Sequence, residues 1–451
     1  MKPLDNRINF SIPPEALHII NTLNAHGFEA YAVGGCVRDS ILGRKPQDWD
    51  ITTNAKPHQI KGIFQKTVDT GIKHGTVTVL DGGCGIEVTT YRIDGEYKDN
   101  RRPESVQFTS SLTDDLSRRD FTINSIAYHP SEGIVDPFNG LEDIRNKTIR
   151  TVGHPDNRFH EDALRMLRAV RFSAQLDFEV HGDTLDAIKR NHSLIKNISW
   201  ERTRDELTKL LTSEHPFRLA LLHDTGLLQH VLPEFDLCFH ITQNHPYHVY
   251  NVAIHTLHAV ASIEATTILR WAMLLHDTGK AVTKTTDRNN IDHFYGHPKK
   301  SEEIAIKVLK RLRFDAKSTD LICRLIKHHD MDIKPTHKSV RRAVRSIGDD
   351  IFWDLLKVQE ADRKAQNPEK LPPRQKMLNE IRNIYREIKE SNQCLSLKEL
   401  AIDGSDLLKA GFSQGPHIGK VLNRLLDAVI DDPELNRRDK LLELAKKYRA
   451  N

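Results

Sequence analysis

Gly34-Gly35-Cys36-Val37-Arg38-Asp39, followed after a short gap by Asp48-Trp49-Asp50, decides how this chain is read. The apolar Tyr31-Ala32-Val33 ahead of it reads as the end of a strand. The glycine pair then lets the backbone turn tightly and approach a ligand. Arg38 is placed to reach an anion. In a strand, positions i and i+2 face the same way, so Asp48 and Asp50 can hold one or two divalent ions side by side. A phosphate-approaching turn beside a metal-binding carboxylate pair suits nucleotidyl transfer from a nucleoside triphosphate.

A chain of 451 residues suits about two to four domains. Its 38% hydrophobic content supports a core, and a mean hydropathy of −0.52 points to a soluble protein. No apolar run approaches the ~18 residues of a membrane-spanning helix. Met1-Lys2-Pro3-Leu4-Asp5 lacks the apolar stretch of a secretory signal. Cys36, Cys84, Cys238, Cys323 and Cys394 form no CxxC pair, so free thiols in a reducing cytoplasm are expected. The net charge of +4 permits RNA binding through local patches without requiring it.

The first ~145 residues mix helix and strand, on the spacing of their apolar positions. Leu17 to Gly27 reads as helix. Gly75 to Leu80 and Ile86 to Tyr91 are β-branched runs around Asp81-Gly82-Gly83-Cys84-Gly85, a predicted hairpin. Beyond ~150 the apolar spacing is helical almost throughout. Asn367 to Gln375 reads as a linker and Ser391 to Leu397 as a second break. Leu221 to Gly226 echoes Leu274 to Gly279, both read as helix ends closed by glycine.

Glu87 lies in the second strand of the predicted hairpin. Beside Asp48 and Asp50 it would activate an attacking hydroxyl or complete a metal shell; an exposed strand glutamate would have the same spacing. In Arg118-Arg119-Asp120-Phe121-Thr122-Ile123-Asn124, the arginines suit a triphosphate, and Asp120 or Asn124 suits a ribose hydroxyl. A solvated helix N-terminus is the alternative. Glu161 to Arg171 reads as one helix, with Ala163, Met166, Leu167 and Val170 as its apolar stripe. Glu161, Asp162, Arg165 and Arg168 lie opposite, either as a surface salt-bridge face or as a base reader. Cytosine and adenine each set an exocyclic amine beside a ring-nitrogen acceptor. Asp162 can accept from the amine while Arg165 donates to the ring nitrogen. Uracil and guanine reverse the pattern, which is costly in a closed site.

GGCVRD, DWD, RRDFTIN, DPFNG (Asp136 to Gly140) and EDALR, in this order, resemble the bacterial class II tRNA nucleotidyltransferases. These are the CCA-adding enzymes and their poly(A) polymerase relatives, of the polymerase-β-type superfamily. The resemblance covers about residues 25–235, and Leu400 to Leu442 resembles the tRNA-body-binding end of CCA-adding enzymes. It implies an α+β nucleotidyltransferase head followed by a mostly helical neck, body and tail. It also implies a metal pair on Asp48 and Asp50, for which carboxylates favour Mg²⁺; Glu87 is the candidate third catalytic carboxylate on the strand reading above. Gly34, Gly35, Arg38, Arg119, Asp120, Asn124 and Arg168 would bind the nucleotide, and Asp162 with Arg165 would select C and A. The implied partners are the tRNA acceptor end, CTP and ATP, with no membrane. CC-only relatives lack a flexible loop that is present here from Asp94 to Arg102. Full CCA addition, A addition alone, and poly(A) synthesis are the competing outcomes, and a nucleotide phosphohydrolase with an RNA-binding head is a rival of another class.

A second constellation comprises His255, His276-Asp277 and Asp362. The apolar segment Trp271 to Leu275 runs into His276-Asp277, so both can ligate one ion, with further ligands from distant helices. This resembles the HD phosphohydrolase signature. His297, His328 and His329 are candidates for further ligands or for phosphate. Imidazole ligands favour a divalent transition metal, and carboxylates alone favour Mg²⁺. The expected domains are a head (1–145), a neck (146–238), an HD domain (239–367) and a helical body and tail (368–451). Arg190, Lys196, Arg202, Arg204, Lys420, Arg424, Arg437 and Arg438 are candidate contacts to tRNA phosphates.

Overall fold

A computed structural model of the chain describes residues 10–95, 97–98, 102–103 and 106–449. The chain divides into two compact units, one ending at Pro233 and the other starting at Glu234.

The first unit is built on a seven-stranded sheet. Its order is Gly133–Val135, Ala127–His129, Ala30–Val33, Asp50–Thr53, Cys84–Thr90, Thr76–Asp81, Thr67–Gly71. Ala30–Val33 is buried along its length, as a central strand covered on both faces must be. The predicted hairpin forms with Asp81 opposite Cys84. Gly82 and Gly83 make its two-residue turn with φ of 54° and 85°, values that favour glycine. Asp50–Thr53 and Cys84–Thr90 run parallel, which sets Asp50 level with Glu87. The predicted helix near Leu17 spans Pro14–Ala25 and buries Ala16, Ile19, Ile20 and Leu23.

Two helical readings change. Glu161 to Arg171 is not one helix: Pro155–Glu161 ends, Asp162 is extended, and Leu164–Leu176 begins anew. The Asp162 carboxylate accepts from the Leu164 N–H, so it serves the start of the second helix. The expected linker is also half helix. Leu371–Glu390 starts inside it, with Pro372 and Pro373 in the first turn, where a missing N–H breaks no intrahelical bond. Of the segment Asp94 to Arg102, Glu96 and residues 99–101 lie outside the described residues; Tyr97–Lys98 pairs with Arg102–Pro103. Among the described residues, no helix is long and apolar enough to cross a membrane.

The second unit is helical. Val252–Ser262 packs on Asp349–Lys364, and Thr267–Leu275 packs on Ala316–His328. Leu269 to Leu275 are all buried, as in a helix hydrophobic all round. The echo at Leu221 and Leu274 ends differently in its two copies. Gly226 closes its helix with φ 77°, but Gly279 has φ −66° and is there for space. A Cβ on Gly279 would stand 2.5 Å from the His297 carbonyl oxygen and 2.6 Å from the Ser301 nitrogen. Gly279→Ala should therefore destabilise the protein by about 1–3 kcal/mol, read by urea unfolding. An unchanged midpoint would show that the helix His297–Arg311 yields freely.

Candidate active site and candidate metal centre

In the first unit a cleft of about 690 Å³ is lined by Gly34, Gly35, Arg38, Asp48, Asp50, Arg119, Asp120, Asn124 and Arg168, among others. Gly34 has φ 83°, and a Cβ there would meet Arg119 Nη1 at 3.1 Å. Asp48 and Asp50 are exposed on either side of buried Trp49, the alternation of extended backbone. Asp48 itself lies just before the assigned strand. Glu87, also exposed, is the register partner of Asp50. Desolvation in the cleft raises the Asp50 pKa; Arg119 opposes this, and the like charges of Glu87 and Asp48 add to it. Among the described residues none of these three carboxylates has a salt bridge. Crowded carboxylates with no salt-bridge partner are a donor set suited to a hard divalent ion.

Opposite them the positive wall is held in place by hydrogen bonds. Arg38 is nearly buried and donates to Asn124 Oδ1 at 2.6 Å. Asn124 donates to Asp120 Oδ1 at 3.2 Å. Arg168 grips Asp120 Oδ2 through Nε and Nη2 at 2.8 and 2.6 Å. Burial alone would raise the Asp120 pKa, but Arg168 holds it below the carboxylate range. Asp120 and Asn124 thus fix the arginine wall as well as lining the cleft.

Sequence reasoning missed several members of this wall. Arg38, Arg168 and Arg171 all surround the Phe172 ring, at 5.1, 5.3 and 3.9 Å from its centroid. Burial pushes Arg171 down to about 10, with Glu206 opposing and Arg168 and Arg38 among the causes. Glu206 pairs with Arg171 at 3.0 Å. Fully buried Asp115 accepts from Arg118 and Thr52, and pairs with Arg119 at 3.4 Å. Arginines three and four positions after an aspartate were the one available signal for it.

Asp162 and Arg165 are not among the residues lining this cleft. Asp162 is held by Arg202, Nη2 to Oδ2 at 2.7 Å. Arg165 donates to Glu161 at 2.6 Å and to the Arg118 carbonyl at 3.0 Å. That last bond ties the EDALR segment to the RRD segment. Other expected tRNA contacts are also engaged: Arg190 with Asp156, Arg204 with Asp205, Arg438 with Asp406.

In the second unit a cleft of about 310 Å³ is lined by Asp277, Lys280, His297, His329 and Asp362, and His255 and His276 are buried beside them. His255, His276, Asp277 and Asp362 bring ligand atoms within 4.8 Å of one another, and Asp277, His297 and His329 do the same. His276 Nε2 lies 3.2 Å from Asp277 Oδ2, and His255 Nε2 lies 3.0 Å from Asp362 Oδ1. The other Asp277 oxygen faces His297 and His329 at 3.4 and 3.6 Å. His328 does not join them.

All four imidazoles are oriented alike. Each sets Nδ1 against a main-chain carbonyl: His255 on Ala365, His276 on Met273, His297 on Phe294, His329 on Ile326. With Nδ1–H donating, every Nε2 lone pair turns toward Asp277, as outer-shell partners orient metal ligands. Buried His276 Nε2 faces Asp277 Oδ2 at 3.2 Å and Asp362 Oδ1 at 3.5 Å. Burial pushes His297 down to about 4, the neutral form a ligand needs. His276 behaves oppositely: against its burial, Asp277 and Asp362 raise it to about 10. Two carboxylates therefore face this cluster, and the Lys280 ammonium lies 2.7 Å from Asp277 Oδ2. The donor set fits a divalent ion.

The chain matches three family models: "Poly A polymerase head domain" over residues 30–150, "Probable RNA and SrmB-binding site of polymerase A" over 177–238, and "tRNA nucleotidyltransferase domain 2" over 289–445. It is 36% identical over 442 residues to the CCA-adding enzyme of Ligilactobacillus salivarius (strain UCC118), covering 97% of this chain and 98% of that protein. It is 54% identical over 220 residues to the CCA-adding enzyme of Geobacillus thermodenitrificans (strain NG80-2), 48% of this chain and 54% of that protein. The crystal structure of the Bacillus stearothermophilus CCA-adding enzyme in complex with CTP superposes with a TM-score of 0.73 at 31% identity, covering 97% of this chain and 98% of that one.

Proposed function

This chain belongs to the family of CCA-adding enzymes, and from that premise we infer how its two clefts work. It is a tRNA nucleotidyltransferase that adds C and A to the tRNA 3′ end from CTP and ATP without a nucleic-acid template. The cleft that gathers Asp48 and Asp50 opposite Arg38, Arg119 and Arg168 carries this reading. The division into head, neck, HD domain and tail at residues 145, 238 and 367 is our proposal, as is the role of each residue below.

Asp48 and Asp50 would hold Mg²⁺, which would neutralise triphosphate charge and acidify the attacking 3′-hydroxyl. Glu87 is the adjacent carboxylate able to take the hydroxyl proton or complete the ion's shell. Arg38, Arg119 and Arg168 bind the triphosphate; because Asn124, Asp115 and Asp120 respectively already hold them, little side-chain freedom is lost on binding. Asp162 and Arg165 read the base edge, with Arg202 aligning Asp162. The decisive assay offers tRNA ending at the discriminator base, at C or at CC with each labelled nucleotide. Addition of C, C and A in order supports the reading; AMP alone on every end replaces it with A addition or poly(A) synthesis.

The base-reading step has its own test. Asp162→Ala or Arg165→Ala should relax selection of CTP and ATP over UTP and GTP by about tenfold to a hundredfold, the range for a lost base-edge contact. Unchanged preference in a competition assay would return these residues to a salt-bridge role.

For the second cleft we propose a metal-dependent phosphohydrolase. The convergence of four Nε2 atoms on the two oxygens of Asp277 supports it. His255, His276, Asp277 and Asp362 would hold a divalent transition metal, and His297 and His329 would hold a second on the other Asp277 oxygen. Such an ion polarises a phosphate and supplies an activated water. Lys280, also held by Gln243 at 2.8 Å, places a fixed positive charge in the same cleft.

A further inference from the structure

Phe172 lines the cleft of the first unit but offers no polar atom to a phosphate or a metal. It is only 6% exposed. Two elements meet at its ring. Leu164–Leu176 carries it together with Arg168, one turn earlier, and Arg171 beside it. The short helix Gly35–Ile41, which follows the glycine turn, brings Arg38 from a distant part of the sequence. Phe121, the residue after Asp120, meets the Phe172 ring edge to face, with centroids 5.8 Å apart and planes at 81°. Phe121 is fully buried, so its contact holds the orientation of the ring.

The Arg171, Arg38 and Arg168 guanidinium centres lie 3.9, 5.1 and 5.3 Å from the centroid of that ring. All are within the ~6 Å over which a cation is drawn to an aromatic face. Like charges this close repel. Burial pushes the Arg171 pKa down; Glu206 opposes, and Arg168 and Arg38 add to the fall. Separate carboxylates answer the repulsion: Asp39 pairs with Arg38 at 2.8 Å, Asp120 with Arg168 at 2.6 Å, and Glu206 with Arg171 at 3.0 Å. Every such pair draws on N–H donors that a phosphate would otherwise take. An aromatic ring attracts a guanidinium without taking a donor. Phe172 is the partner these three arginines share, and it takes none of their N–H groups.

Resting on the reading that this wall binds the triphosphate, we propose that Phe172 is a positioning residue for nucleotide addition: its ring sets the spacing of the Arg38, Arg168 and Arg171 guanidinium groups before the triphosphate arrives. Without the ring the three charges spread apart, and the incoming triphosphate must gather them again. The ligand affected is the polyphosphate, whichever base it carries.

The test compares full-length wild type, Phe172→Leu and Phe172→Tyr in the presence of Mg²⁺. In Phe172→Leu the KM for CTP and the KM for ATP should both rise about tenfold, the scale of lost cation–π contacts in a desolvated site. The values of kcat and of KM for tRNA should stay within about twofold of wild type, because only nucleotide binding is touched. Inorganic tripolyphosphate, at fixed free Mg²⁺, should inhibit Phe172→Leu about tenfold more weakly than wild type. Phe172→Tyr keeps a ring and should keep the wild-type values. Unchanged KM for CTP and ATP in Phe172→Leu overturns the proposal, as does a Phe172→Tyr variant equally impaired. A raised KM with unchanged tripolyphosphate inhibition also overturns it, because the ring would then be touching the base. A loss spread over kcat and tRNA affinity as well would make Phe172 an ordinary core residue. Tripolyphosphate that fails to inhibit wild type removes the triphosphate from the wall, and this proposal with it; inhibition of wild type with no change in Phe172→Leu removes the role of Phe172 alone. If Phe172→Leu does not accumulate as folded protein, Phe172→Met, apolar and without a ring, takes its place with the same expectations.

Discussion

Asp50→Ala, or Asp48→Ala, should lower incorporation of both CMP and AMP by at least about a hundredfold, the cost of losing a group that stabilises developing charge. Binding of tRNA should survive. The effect follows from the crowding at the cleft: Asp50 stands in register with Glu87 and on the same exposed side as Asp48. A second readout separates lost chemistry from lost fold. Desolvation and the neighbouring carboxylates raise the pKa of Asp50. An acid with a raised folded-state pKa binds more protons folded than unfolded, so its contribution to stability falls as pH rises through that window. At neutral pH Asp50 is a liability to the fold, and Asp50→Asn should melt no lower than wild type while losing addition. Retention of more than about a tenth of wild-type addition, measured with labelled nucleotides, would remove these carboxylates from the chemistry.

The two glycines, the hairpin and the Asp48–Asp50 pair were legible because each rests on local rules. A two-residue glycine turn sets the hairpin, and period-two alternation puts both carboxylates on one side. The parallel pairing that brings Glu87 level with Asp50 is a long-range event, and spacing along the chain left it open. The wall of arginines was half legible. RRD and EDALR announced Arg119, Asp120 and Arg168, but Arg171 and Phe172 read as ordinary members of a buried helix. Only the fold shows three guanidinium groups around one ring. Helix periodicity misled at Asp162, because an extended residue between two helices has the same spacing as one inside a continuous helix. Gly279 misled for a related reason: a glycine after a helix reads as a cap, and close approach of another backbone has no local signature. The histidines were visible as types, but which of His297, His328 and His329 would join depended on tertiary packing. His297 and His329 turn inward, each by a bond from Nδ1 to the carbonyl three residues earlier, of Phe294 and of Ile326.

His276→Ala combined with Asp277→Ala should abolish hydrolysis of small phosphoesters, by at least about a hundredfold, and leave CCA addition within about twofold of wild type. The two activities should separate because the carboxylate cleft and the histidine cluster belong to different compact units of the chain. They should also separate by metal. The carboxylates suit Mg²⁺, whereas imidazoles favour Mn²⁺, Co²⁺ or Ni²⁺. Asp277 is the residue both ligand groups share, so its loss should empty both, and metal analysis of the purified variant should find none of the transition metal retained by wild type. His297→Ala with His329→Ala should remove only part of it, since His255, His276 and Asp362 keep their places around the other Asp277 oxygen. Nucleotide addition by each variant controls for folding, because a collapsed second unit would be seen as lost protein or lost tRNA turnover. A panel of phosphoesters assayed with Mg²⁺, Mn²⁺, Co²⁺ and Ni²⁺ checks the activity. Hydrolysis that persists in the double variant would place the chemistry elsewhere. No hydrolysis and no bound metal in wild type would make the cluster a buried ion-pair network, in which His276 stays protonated between Asp277 and Asp362.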